Sequence, residues 1–150
     1  MKTWTVSSRG WSNFLYEIFE HTADLGLRIR AEGLNGLFEE AACAMFSLIV
    51  TDPAAIRPVQ QRTFEITGRR HDELLRDWLA ELLYTFHSDH MLLARFRADV
   101  RQTGLKATAW GEPFDPDRHE IDAELKAVTY HGLKVEQDQS GYLAEVVVDI

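Results

Sequence analysis

The sequence holds a single cysteine, Cys43, in 150 residues. An internal disulfide is therefore impossible, which excludes a disulfide-stapled secreted scaffold and suits a reducing cytosol. Apolar runs approaching the ~18 residues of a membrane span are also missing. The opening stretch MKTWTVSSRGWSNF has no continuous apolar segment of the kind a secretory leader needs. A cytoplasmic chain without a membrane span is expected. Basic charge is scarce: 16 Lys and Arg stand against 24 Asp and Glu, a net charge of −8, and the cations form only short pairs such as Arg69-Arg70. Affinity for nucleic-acid phosphates comes from counterion release and needs a basic face. The composition thus argues against tight, direct nucleic-acid binding and for a cation or a basic partner. No repeat, low-complexity tract or linker interrupts the chain. A glycine-rich phosphate loop is absent too, because Gly33-Leu34-Asn35-Gly36 matches no nucleotide fingerprint. The acidic segment Glu112–Asp117 lacks the Asp-x-Asp-x-Asp-Gly spacing of an EF-hand and reads as a solvated loop or a partner-facing surface.

What is present is an ordinary apolar content of 45% in a length suited to one domain with a real core. Two strand-like runs come first, within Phe14–Glu20 and, in strict alternation, at Leu25, Leu27, Ile29 and Ala31. Leu34, Leu37, Phe38, Ala41, Ala42, Met45, Phe46 and Ile49 follow helical spacing, with Asn35 as the expected cap and Thr51-Asp52-Pro53 as the stop. After a strand at Val59–Gly68, a second helix opens at His71-Asp72-Glu73 and runs on the stripe Leu74, Leu75, Trp78, Leu79, Leu82, Leu83 and Phe86. This stripe reads as core packing against a sheet. The rest reads as strands at Leu92–Arg101, Leu105–Gly111, Ala123–Gln137 and Tyr142–Ile150, with hairpin turns at Gln102-Thr103-Gly104 and Asp138-Gln139-Ser140-Gly141. The pattern predicts a single α+β domain from residue 14 onward, with two main helices and about seven strands in a mixed, mostly antiparallel sheet. Residues 1–13 are expected to lie outside it as an extension.

Two stretches carry more polar chemistry than their structure requires. EHTADLGLRIRAEG (20–33) crowds a histidine, a threonine and an aspartate into the junction of two strands, where Asn-Gly or Asp-Gly alone would suffice. At the other end LAEVVVDI stops within a β-prone run, putting the Asp149 side chain next to the Ile150 α-carboxylate. Oxygen-only anions suit a hard cation such as calcium or magnesium. The bland readings are an Asx-turn closed by Asp24 and a strand that simply runs out.

His21-Thr22-Ala23-Asp24-Leu25-Gly26, Lys126-Ala127-Val128-Thr129-Tyr130-His131 and Val148-Asp149-Ile150, in this order, resemble the archease family from about Phe14 onward. The helix run Leu-Leu-x-x-Trp-Leu-x-Glu-Leu-Leu fits the same pattern. The resemblance implies the archease fold and a small metal-binding protein that is not itself an enzyme. It would assist the RNA-splicing ligase of tRNA splicing and RNA repair, which joins 3′-phosphate or cyclic-phosphate ends to 5′-hydroxyls. Such proteins promote guanylylation of the ligase and its multiple turnover, so nucleotide or RNA would be met only through the ligase complex. Carried over by motif, Asp24, Asp149 and the carboxylate of Ile150 would bind calcium, or another divalent cation such as magnesium, with Lys126 functional beside them. His21 has two readings, a capping or core histidine and a residue supporting the ligands. His131 reads as structural or as a further functional group, and Cys43 as structural. Two other classes stay open. One is a metal-dependent phosphoesterase using Asp24, His21 and His131, for which no nucleophile is evident. The other is a chaperone-like module with a structural cation.

Overall fold

The computed structural model describes residues 5–8, 15–21 and 24–150. The described residues form nine strands and two main helices, in chain order β1 (Thr5–Ser8), β2 (Leu15–His21), β3 (Asp24–Ala31), α1 (Leu34–Ile49), β4 (Gln60–Thr67), α2 (His71–Asp89), β5 (Met91–Arg101), β6 (Gly104–Pro113), β7 (Ala127–Val128), β8 (Lys134–Asp138) and β9 (Gly141–Asp149). They form two sheets, every pairing within them antiparallel. The larger runs β1-β2-β3-β9-β7, with β8 also paired to β9; the smaller runs β4-β6-β5. This is the expected α+β class, with the sheet divided in two. No helix of the described residues is long and apolar enough to cross a membrane.

Why two sheets form is written in α1. Its sequence, LNGLFEEAACAMFSLI, is apolar almost all round, and residues from Leu37 to Ile49 are buried on several faces. A helix of that kind must be enclosed, and α1 packs on β3 of the large sheet and β5 of the small one. Alternation in β3 and β9 sends Leu27 and Ile29, with Ala144, Val146 and Val148, to this inner side. α2 is amphipathic and contributes one stripe. Its Trp78 is fully buried, donates its indole N–H to the carbonyl of Phe38 at 3.0 Å, and meets Phe64 and Phe96 edge-on at ring separations of 5.4 and 6.3 Å. A buried indole needs such a partner, because its N–H would otherwise lose a hydrogen bond to water.

Several local expectations are corrected. Asn35 does not cap α1: Gly33 holds that position without a side-chain bond, while Asn35 Oδ1 accepts the N–H of Val100 at 2.8 Å. Glu39 likewise accepts the N–H of Ala98 at 2.8 Å, so α1 covers the open edge of β5 with its own acceptors. Residues 123–137 are not one strand. They make the two-residue β7, a turn and β8, because Thr129 fastens both its N–H and its hydroxyl to the carbonyl of Val147 and the chain then reverses at Gly132, φ +63°.

The acidic segment Glu112–Asp117 is also not simply solvated. Glu112 is buried and accepts from the Arg118 guanidinium, from the Arg57 N–H at 2.7 Å and from His119 Nε2 at 2.9 Å. Because His119 Nδ1 accepts the N–H of Asp115 at 2.9 Å, the ring proton sits on Nε2, which donates to Glu112. One carboxylate at the end of β6 thus anchors two other pieces of chain, at Arg57 and at Arg118-His119. The Arg118 guanidinium, aided by the Arg57 N–H and His119, holds the Glu112 carboxyl down to about 2 despite the opposing effect of burial.

Near the start of β5 a β-bulge lies between Leu93 and Arg95. It lets Leu93 and Phe96, three residues apart, both turn inward, and it sends Arg95 outward. The partner strand comes so close there that a Cβ on Gly111 would lie 1.8 Å from the Leu92 carbonyl oxygen. Gly111→Ala must therefore displace backbone, and a loss of about 1–3 kcal/mol in urea unfolding is expected; an unchanged midpoint would contradict the close approach. Glu112 supplies a pH test. Its folded pKa lies below the ordinary 4.5, so its stabilisation is full above about 4.5 and drains away as pH falls toward 2. Between those limits the melting temperature of Glu112→Gln should fall less steeply with acidification than that of the wild type.

Candidate functional site

The β3–β9 register sets Asp24 directly opposite Asp149, and the two flanking pairings extend the same row. His21 is the register partner of Asp24 on β2, and Ala127 that of Asp149 on β7. Directly opposed residues project from the same face of a sheet. Since Leu27, Ile29, Val146 and Val148 occupy the inner face, Asp24 and Asp149 lie on the outer one, both half-buried. The next charged row on that face alternates in sign. Glu17 meets Arg28 at 3.1 Å, Arg28 meets Glu145 at 3.6 Å, and Lys134 meets Glu145 at 3.3 Å. In the Asp24–Asp149 row two carboxylates face each other instead. Like charges so placed are destabilising, which makes the row the exception on its face.

Of the sequence-derived candidates, the structure brings four to this end of the sheet. Asp24 and Asp149 are cross-strand neighbours. Ile150 follows directly and is 41% exposed. Lys126 is exposed and joined through its main chain, its N–H donating to the Asp149 carbonyl at 2.8 Å. The backbone of His21 occupies the same row, while Thr22 and Ala23, the turn that first drew attention, lie outside the described residues. His131 sits apart from the row, in the exposed turn after β7, its N–H donating to Thr129 Oγ1 at 3.2 Å.

Sequence reasoning missed what holds Lys126 in place. Two α2 side chains pin the segment on either side of it. His87 Nε2 donates to the Leu125 carbonyl at 2.8 Å and Arg76 Nε to the Val128 carbonyl at 3.1 Å. The Arg76 guanidinium also lies over the Tyr130 ring, 4.4 Å from its centroid. Both are ordinary helix-face residues about forty to fifty positions upstream, and nothing local marks them.

As a donor set, Asp24 and Asp149 offer hard oxygen anions from paired positions on adjacent strands, the chemistry that calcium and magnesium prefer. Among the described residues, no group of three or more His, Cys, Asp and Glu side chains is arranged to hold a metal.

Residues 16–150 match the Archease protein family (MTH1598/TM1083). The chain is 42% identical over 139 residues to "Protein archease" of Methanopyrus kandleri, covering 90% of this chain and 99% of the relative. It is 40% identical over 137 residues to "Protein archease" of Sulfurisphaera tokodaii, covering 90% and 98%. Its fold superposes on the solution structure of Methanobacterium thermoautotrophicum protein 1598 with a TM-score of 0.79 and 33% identity, over 90% of this chain and 98% of that one.

The opposed carboxylates give a direct test. In chelator at low salt, Asp149→Asn should be as stable as the wild type or more stable, by about 0.2–1 kcal/mol, with the difference shrinking at high salt. A clear loss of stability under these conditions would mean that the Asp149 carboxylate is held by a favourable partner rather than opposed by Asp24.

Proposed function

This chain belongs to the archease family, and on that premise we propose that it is a metal-binding protein cofactor of an RNA-splicing ligase. In this role it promotes guanylylation and repeated turnover of the enzyme that joins 3′-phosphate ends to 5′-hydroxyls. The observation that supports it most is the register pairing of Asp24 with Asp149. Two like-charged residues are kept opposite one another at the end of the β3–β9 ladder, where a divalent cation would offset any repulsion between them.

Asp24, Asp149 and the α-carboxylate of Ile150 are the ligands in this reading, and calcium is the cation. When bound, the ion offsets the repulsion among these anions and presents a positive centre to a partner's phosphate or carboxylate. Lys126, fixed by its main chain to Asp149 and by α2 through its neighbours, adds a second positive group at the same edge. His21, whose backbone occupies the same row on β2, is the further candidate that the motif supplies. Such an assembly acts on the partner's reaction and needs no nucleophile of its own.

Two measurements test the proposal. Calcium should raise the melting temperature of the wild type, since a ligand at one hundred times its Kd adds about 2.7 kcal/mol. Asp149→Asn, or residues appended after Ile150, should lose most of that response. Guanylylation of the cognate ligase should rise when the wild-type protein is added and rise much less with Asp24→Asn, Asp149→Asn or Lys126→Ala. An active ligase that shows no gain in rate or turnover would refute the cofactor role. Activation that persists unchanged in both aspartate variants would refute the metal site.

A further inference from the structure

The outer face of the small sheet gathers cations that look scattered in the sequence. Register sets its rows: Gln61–Trp110–Arg95, Thr63–Thr108–Arg97, Glu65–Lys106–Asp99 and Thr67–Gly104–Arg101. Alternation places Phe64, Ile66, Phe96, Ala98, Leu105, Ala107 and Ala109 on the opposite, core side. The bulge at Leu93/Arg95 is what brings Arg95 onto the outer face with Arg97, beside Trp110. Four cations and two carboxylates share this face, in a chain whose net charge is −8. Asp99 is engaged by Arg101 at 2.8 Å. Among the described residues no close ion pair holds Arg95, Arg97 or Lys106, although the Arg97 charge is felt by Glu39 of α1 and Lys106 has Glu65 and Asp99 as register neighbours. A trough of about 650 Å³ lies on this face, lined by Thr63, Arg97, Lys106 and Thr108 together with the carboxylates Glu65 and Asp99.

We infer that this face binds single-stranded RNA. Arg95 and Arg97 stand two residues apart on one strand, ~6.6 Å along it, a spacing comparable to successive phosphates of an extended polynucleotide. Their guanidinium groups suit phosphate oxygens in a way that a lone ammonium does not. Trp110, half-buried in the row next to Thr108 and Arg97, lies outside the trough lining but on the same face, where its indole can stack on a neighbouring base. The Thr63 and Thr108 hydroxyls complete a lining able to bond sugar and phosphate oxygens. An acidic peptide would satisfy the arginines but would leave the indole without a role. A duplex hides the base faces that the indole would meet. The choice of RNA rests on the ligase reading above; the match of cations and ring to a polynucleotide strand does not. The overall negative charge limits affinity, so a weak, salt-sensitive contact is the expected form.

Fluorescence anisotropy of a labelled oligouridylate of about ten nucleotides provides the test, with no ligase present. The wild type should bind at about 50 mM salt, with a log K against log salt slope of about −2 if three phosphates are neutralised. Combined Arg95→Gln, Arg97→Gln and Lys106→Gln should weaken binding by about tenfold or more, and Trp110→Ala by about fivefold or more. Trp110→Phe, which keeps a stacking ring and most of the packing, should retain much of the affinity even if the alanine variant is less stable. No binding at low salt, or equal binding by the triple glutamine variant, would overturn the inference. So would an RNA duplex bound as tightly as the single strand, or binding of oligoglutamate where the RNA does not bind.

Discussion

Antiparallel pairing of β3 with β9, Asp24–Ala31 against Tyr142–Asp149, is the constraint from which the rest follows. It joins an early strand to the last one and makes both central in the large sheet. Its phase decides everything on either side. In the observed register Leu27, Ile29, Val146 and Val148 close over α1, and the charged residues of both strands go outward. A slip of one residue would send Arg28 and Glu145 into the core and Ile29 into water, so the apolar pattern fixes the register strongly. The hairpin feeding β9 adds a second lock. Gly141 has φ +130°, and a Cβ there would meet the Ala31 carbonyl oxygen at 2.4 Å. The placing of Asp24 opposite Asp149 is therefore imposed by packing many residues away.

Much of this was legible in the sequence. The two helical stripes, the alternation in β3 and the hairpins at 102–104 and 138–141 all follow from periodicity and turn chemistry, because each is decided within one short segment. What was not legible depends on partners distant in the chain. Glu112 looks like one more acid in a proline-broken loop until Arg57, Arg118 and His119 converge on it. Asn35 has the chemistry of a cap, yet it serves the edge of β5, more than sixty residues away. Arg76 and His87 look like solvent-facing helix residues, yet they brace the segment around Lys126. The candidate site divides in the same way. Its acids could be picked out by local excess, but their being opposite one another could not, since that is a property of register.

Each outer sheet face is mixed in charge but carries one local concentration of a single sign. The large sheet ends in a pair of facing carboxylates, and the small sheet presents Arg95, Arg97 and Lys106 beside an indole. Net charge conceals this division, because it sums over surfaces that point in different directions. A scarcity of basic residues limits how many phosphates a protein can neutralise; it does not prevent a few cations from sharing one strand face. The bulge in β5 achieves that concentration, by resetting the alternation midway along the strand so that arginines from Arg95 onward fall outside the core.

The β3–β9 ladder also bears on how the chain acquires its structure during synthesis. Strands whose partners are separated by more than a hundred residues must close a long loop before any pairing is rewarded, which makes folding slow relative to local hairpins and helices. While the ribosome has delivered only the first half of the chain, β3 has one neighbour instead of two, and α1, apolar on nearly every side, has no complete enclosure. The central strand becomes available only when residues 142–149 leave the exit tunnel. Until then the nascent chain displays an unpaired sheet edge beside a greasy helix, the combination that invites aggregation and engages chaperones.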